Sequence, residues 1–163
     1  MAGGDAIIYG VRVGRGRGAI ATNTAVGSGA LFSNTTGFYN TANGGSALGS
    51  NTTGFYNTAN GGIALYSNTT GGWNTANGLN ALYSNTTGWY NTANGASALQ
   101  NNTTGEFNTA LGSQAGSGIT TGSSNIAIGY GSQVASATGS NQLSIGNWIY
   151  GSGGNIGIGT STP

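Results

Sequence analysis

"SNTTGFYNTANGGSAL" spans residues 33–48, and "SNTTGFYNTANGGIAL" follows at 50–65, seventeen residues later. The offset persists along the chain. Gly27, Gly44, Gly61, Gly78, Gly95, Gly112, Gly129 and Gly146 are each 17 residues apart, and Gly37, Gly54, Gly71, Gly88, Gly105, Gly122 and Gly139 form a second such series. With 34 glycines and 3% charged residues, the chain has the composition of a flexible, low-complexity segment. A disordered linker needs no register, so the strict period argues for a repeat fold instead. Two glycines at fixed phase predict two tight corners per repeat. Between corners, "NTANG" and "NIAIG" alternate with a period of two around Ala25, Ala42, Ala59, Ala76, Ala93, Ala110 and Ala127, with Ser144 in the eighth place. Such alternation predicts strand, and the abundance of Gly, Asn and Thr disfavours helix. Two short strands and two corners per 17 residues make one coil of an all-β, parallel β-solenoid. The seven steps from Gly27 to Gly146 would rise about 34 Å at the inter-strand spacing.

Stacked coils turn equivalent residues into ladders. Leu31, Leu48, Leu65, Leu82 and Leu99 hold one position, and Tyr39, Tyr56, Trp73, Tyr90 and Phe107 hold another that is aromatic in every coil. Both are expected to pack inside, against the small Ala42, Ala59 and Ala76. Thr41 and Asn43, with their counterparts Ile126 and Ile128, should face out of the roll towards a shared axis. One Leu, two Ala and one aromatic per coil is a thin core to set against the entropy of ordering so much Gly, and a symmetric oligomer would supply the missing buried surface. Two further aromatic positions vary. One holds Phe38, Phe55, Gly72, Trp89 and Glu106, the other Phe32, Gly49, Tyr66, Tyr83 and Gln100. A position that accepts Gly, Glu and Trp is not tightly packed, so Phe32, Phe38, Phe55, Tyr66, Tyr83 and Trp89 are candidate surface contacts. Trimer-rim packing or shielding of the backbone ladders competes with contact to sugar rings.

The chain has no Cys, His or Lys, and Asp5 and Glu106 are its two carboxylates. No catalytic residue, cofactor site or metal site is therefore expected, because a Ser or Thr nucleophile has no evident base and the usual zinc ligands are missing. Carbonyl and Asn oxygens around a threefold axis could hold an ion, but hydrogen-bonded Asn ladders are the simpler reading. "VGRGRG" at 13–18 lacks the Lys-Ser/Thr and the following helix of a phosphate loop. Arg12, Arg15 and Arg17 are candidate anion contacts, or else charges that guard an exposed solenoid end. "NTT" at Asn34, Asn51, Asn68, Asn85 and Asn102 is formally a glycosylation acceptor, though Asn and Thr also suit corners. No leader and no membrane-spanning run is read, and neither a nucleic-acid partner nor membrane insertion is expected.

Residues 1–22 read as a cap containing an alternating strand at 6–14, 23–146 as about eight 17-residue coils, and 147–163 as a neck-like segment. Asn141 arrives one place early and suggests a bulge. The "NTAxGxxALxSNTTGxx" repeat resembles repeats of phage tail fibres and the β-roll heads of trimeric autotransporter adhesins, with "NIAIG" at 125–129 the nearest match to the adhesin strand. The ending "NQLSIGNWIYGSGGNIGIGTSTP" resembles the stretch ahead of an endosialidase-type intramolecular chaperone. The resemblance implies three parallel chains, each a left-handed β-roll, around a threefold axis. It also implies a fibre segment on a virion or bacterial surface that projects a host contact, with two identical chains and a cell-surface glycan or envelope component as partners. The alternative is an ice-binding solenoid that uses its Thr and Asn rows.

Overall fold

A computed structural model describes residues 5–8, 11–152 and 155–158. The chain is a parallel β-solenoid with 17-residue coils. Its strands are β1 (Ala6–Ile8), β2 (Val11–Gly14), β3 (Thr24–Val26), β4 (Thr41–Asn43), β5 (Thr58–Asn60), β6 (Thr75–Asn77), β7 (Thr92–Asn94), β8 (Thr109–Leu111), β9 (Ile126–Ile128), β10 (Gln142–Ile145), β11 (Ile149–Ser152) and β12 (Asn155–Ile158). They form one sheet in sequence order. From β3 to β10 every pairing is parallel and in register, Ala42 on Ala59 on Ala76 on Ala93, giving about seven turns. The terminal pairings, β1–β2, β2–β3, β10–β11 and β11–β12, are antiparallel. These turned-back strands cover the hydrogen-bonding edges that a bare solenoid would leave open. Of the 1–22 and 147–163 segments, residues 1–4, 9–10, 153–154 and 159–163 lie outside the described residues.

Each coil carries one three-residue strand, not two. The rest of the coil is irregular yet still bonded coil to coil: Leu48 N–H donates to the Ala64 carbonyl (3.0 Å), Ser50 N–H to Tyr66 (3.0 Å) and Thr52 N–H to Thr69 (3.0 Å). The second strand fails because the backbone there turns repeatedly through the left-handed region. Gly44 (φ 140°), Ser46 (56°), Leu48 (51°) and Tyr56 (54°) all have positive φ, and their equivalents recur in the following coils. Gly takes that conformation freely, whereas a Leu or Tyr there costs roughly 1–2 kcal/mol. Stacking between well-bonded neighbours over-determines the strained residues.

The first glycine series therefore marks a true corner. The second sits directly after the bend at each Thr pair, as at Thr52–Thr53, but Gly54 and its equivalents are not among the positive-φ residues. A Cβ on Gly54 would instead run into Asn51 Oδ1 and the Gly71 carbonyl of the next coil. This glycine is required for close approach, and the group approached is a buried amide.

Asparagine holds two interior rows. In one, Asn40, Asn57, Asn74, Asn91 and Asn108 are fully buried. The Oδ1 of Asn57 accepts the Asn74 backbone N–H (3.0 Å), while its Nδ2 crosses the roll to the Gly71 carbonyl (2.9 Å). In the other row, Asn68 Nδ2 donates to Asn51 Oδ1 (2.7 Å) and to the same Gly71 carbonyl (3.0 Å), and Asn85 Nδ2 donates to Asn68 Oδ1 (2.8 Å). These are the "NTT" asparagines. Their side chains are closed off in the folded chain, which argues against the glycosylation reading, and each still braces a corner, Asn51 Nδ2 donating to the Gly54 carbonyl (3.0 Å) across the bend at Thr52–Thr53. Ile119 follows Asn102 in this row and Gln142 follows Asn125 in the first, so the network ends in an apolar side chain in one case and a longer amide in the other.

With the amides inside, the core is Leu, two Ala and two Asn per coil. There is no room for a ring. Tyr39, Tyr56, Trp73, Tyr90 and Phe107, expected inside, lie on the surface, from 38% exposed at Trp73 to 54% at Phe107. Their positive φ turns the chain so that the ring projects outward. The Ala series is buried as expected, and the bulge at Asn141 is absent. Asn141 (φ 58°) occupies the left-handed place of Ser124 and Phe107, Gln142 takes the buried-amide place, and β9–β10 pairs regularly, Ser144 on Ala127.

Asn68→Ala should strip the Asn51 oxygen, the Asn85 amide and one bond at Gly71 of partners. At about 1–3 kcal/mol per orphaned group, its unfolding free energy should fall far below that of Thr70→Ala, a change on the exposed Thr row expected to stay within about 0.5 kcal/mol. Urea denaturation of the two variants checks this.

Candidate interaction surfaces

Three surfaces come from this fold. The first is the outward face of β3–β10. Alternation buries the central Ala and turns its neighbours out: Thr58, Thr75 and Thr92 form one row, Asn60, Asn77 and Asn94 the other. The asparagines bond along the row, Asn60 Nδ2 to Asn77 Oδ1 (2.9 Å) and Asn77 Nδ2 to Asn94 Oδ1 (2.6 Å). Toward β10 the rows become apolar, with Leu111 (50% exposed), Ile126 (42%), Ile128, Leu143 and Ile145. Thr41, Asn43, Ile126 and Ile128 thus face out of the roll.

The second surface is an aromatic rail directly before the strand. Tyr39, Tyr56, Trp73, Tyr90 and Phe107 stack in file, with centroids 4.9, 5.4, 5.1 and 4.9 Å apart and planes within 13° of parallel. The coil repeat sets this spacing. Of the six candidate contact residues, Phe38 and Phe55 stack on each other (5.0 Å), and Trp89 meets Phe55 edge-on at 88°. All three lean on the rail: Phe55 contacts Trp73 edge-on at 4.7 Å and Trp89 lies 5.2 Å from it. Gly72 leaves their row open, and Trp89 closes over the gap. Tyr66 and Tyr83 make a separate stacked pair (5.6 Å) on another edge, with Tyr66 leaning over Gly49. Phe32 stands apart at the N-terminal end. The six residues therefore form three groups, and sequence reasoning missed the longest aromatic surface because it placed that ladder inside.

The third surface is the N-terminal end. The Arg12 Nε lies 3.7 Å from Asp5 Oδ2, and the Asp5 side chain is almost wholly buried. Asp5 Oδ1 also accepts the Arg15 backbone N–H (2.9 Å). Arg12 is thus engaged in pinning the β1–β2 hairpin. Arg15 and Arg17 are exposed, and the Arg17 guanidinium lies 5.5 Å from the Phe32 ring centre. Ile7, Arg12, Ser28, Gly29 and Phe32 line a cavity of about 360 Å³ beside them.

The threonine rows divide in the same way. Thr52 Oγ1 donates to the Thr69 carbonyl (3.0 Å) and Thr69 Oγ1 to Thr86 (3.1 Å), so the inner row is engaged within the solenoid. Thr53, Thr70 and Thr87 form an exposed row beside the aromatics, in addition to the outward Thr58, Thr75 and Thr92 of the strand face. Among the described residues, no three His, Cys, Asp or Glu side chains gather as a metal site, and no helix is long and apolar enough to cross a membrane. Compared with family models, curated proteins and solved structures, the chain matches none.

Trp73→Ser should remove two stacked pairs, the edge contact with Phe55 and the tilted contact with Trp89, lowering stability by about 2 kcal/mol or more at roughly 0.5–1.5 per pair. Tyr66→Ser, with one stacked partner, should lose less. Urea melts at equal protein concentration measure both.

Proposed function

We propose that this chain is a non-enzymatic segment of a homotrimeric fibre, of phage tail-fibre or bacterial surface-adhesin type, that projects a contact surface towards a cell. Three left-handed rolls would share an axis lined by the outward face of β3–β10. The observation that carries this reading is the apolar end of that face: Leu111, Ile126, Ile128, Leu143 and Ile145 lie in file on one side of a sheet whose other side is already packed. An apolar strip of this kind suits burial against copies of itself. The in-register bonding around each coil supports a mechanical role, since a rod bonded at every step resists bending. The repeat's resemblance to trimeric fibres points the same way. The fibre would sit on a virion or bacterial surface, with a glycan or envelope component as its distal partner. The ice-binding reading draws less support: the inner Thr52 row is engaged, the Thr53 row borders bulky rings, and the outward Thr58 row gives way to Ile126 and Leu143 toward β10.

Light scattering should return about three times the 15.9 kDa chain mass. Ile126→Asp would place three carboxylates around the axis and should shift the protein to monomer. A wild-type monomer at micromolar concentration would defeat the proposal.

A further inference from the structure

The rail flanks one side of the strand face, and a row of mostly small residues flanks the other. Just past the Gly44 corner stand Gly45, Gly62, Leu79 and Ala96, one per coil. Gly45, Leu79 and Ala96 are exposed. A Cβ at Gly45 would meet nothing within 4 Å, and one at Gly62 only the tip of Leu79. We propose that in the trimer the aromatic rail of each protomer seats on the small-residue row of the next, closing the assembly side by side. This rests on the trimeric reading above.

Ring geometry decides what the rail can touch. In a file of near-parallel rings about 5 Å apart, each inner ring has both faces turned to its neighbours. No flat sugar can stack there. What points outward is a continuous strip of ring edges, which needs a flat partner that approaches closely. The small-residue row is such a partner, flat at Gly45, Gly62 and Ala96 with Leu79 standing out of it, and it repeats with the same coil spacing. Closed cyclic symmetry with more than two chains demands this arrangement, since one flank of each chain must meet a different flank of the next. Both rows border the strand face, so the contact would continue the proposed axial interface.

Area and charge agree. Five rings, each close to half exposed and worth about 150–250 Å² when buried, offer roughly 400–600 Å². Added to the strand face, this reaches the roughly 800 Å² per partner of a stable interface. Beyond Arg17 the chain has a single charged residue, Glu106. Apart from Glu106, beside Phe107 at the C-terminal end of the rail, a second copy of the same chain brings no charge to the seam, whereas a charged partner would lose hydration without compensation.

The chain has no cysteine, so introduced thiols report cleanly. Tyr56→Cys and Gly45→Cys together, oxidised in the assembled protein, should yield a covalent trimer on denaturing gels. Each single variant should run as monomer. Tyr90→Cys with Leu79→Cys is the second pair, should the first not assemble. A trimer by light scattering in which neither pair cross-links would overturn the seam and leave the fibre reading standing, while a monomer would remove both. Cross-linking of Tyr56→Cys alone would mean rail against rail. A change in tryptophan emission of the wild-type trimer on adding cellohexaose or chitohexaose, abolished by Trp73→Phe, would give the rail to a glycan. Either result contradicts the proposal.

Discussion

Two carboxamides buried in each coil from Asn34 to Asn108 set the terms for the rest of this structure. An amide inside a protein is costly unless its donors and acceptor are all engaged. Here they are engaged by the equivalent amide one coil away and by a single glycine carbonyl, as at Gly71, which accepts from both Asn57 and Asn68. That geometry closes only when successive coils stand in register. A slip of one residue would leave a file of orphaned amides, so the network specifies the 17-residue repeat more sharply than Leu and Ala could. It also accounts for the second glycine series, whose Cβ would occupy the space in which the amides meet.

The outside follows from the same constraint. With two amides, one Leu and two Ala filling the section of the roll, rings are displaced to the surface, where the coil repeat brings them into stacking distance. The left-handed backbone at Leu48 and Tyr56 serves both ends, turning Leu in and Tyr out within one coil. In the proposed trimer, the outward strand face and the rail are neighbouring parts of one contact, and the low lateral charge, Glu106 alone beyond Arg17, suits contact between like surfaces.

Much of this was legible in the sequence. The period, the parallel stacking, the Gly44-type corner and the burial of Leu48 and Ala42 follow from spacing and alternation. Hydrogen-bonded Asn ladders were legible from the repeat, but the burial of the Asn51 and Asn57 rows as core was not, because a polar residue beside Thr and Gly reads as a turn. Leu48 and Tyr56 give no residue-type signal for positive φ, so the irregular side of the coil was taken for a strand. The Tyr39–Phe107 ladder was misplaced for a related reason: a row that is aromatic in every coil looks like core until the volume taken by the amides is known. Of the candidate contacts, Phe38, Phe55 and Trp89 do come together, while Phe32, Tyr66 and Tyr83 stand elsewhere, since two positions with equal freedom in sequence lie on different edges of the coil.

The amide network can be observed directly. Side-chain NH₂ protons of Asn51, Asn68 and Asn85, followed by NMR hydrogen exchange, should exchange orders of magnitude more slowly than those of the exposed Asn141 and no faster than the backbone amides of β4–β7. Exchange of the Asn51, Asn68 and Asn85 amides at the Asn141 rate, while the strands stay protected, would mean that the ladders are open to water and do not hold the coils in register.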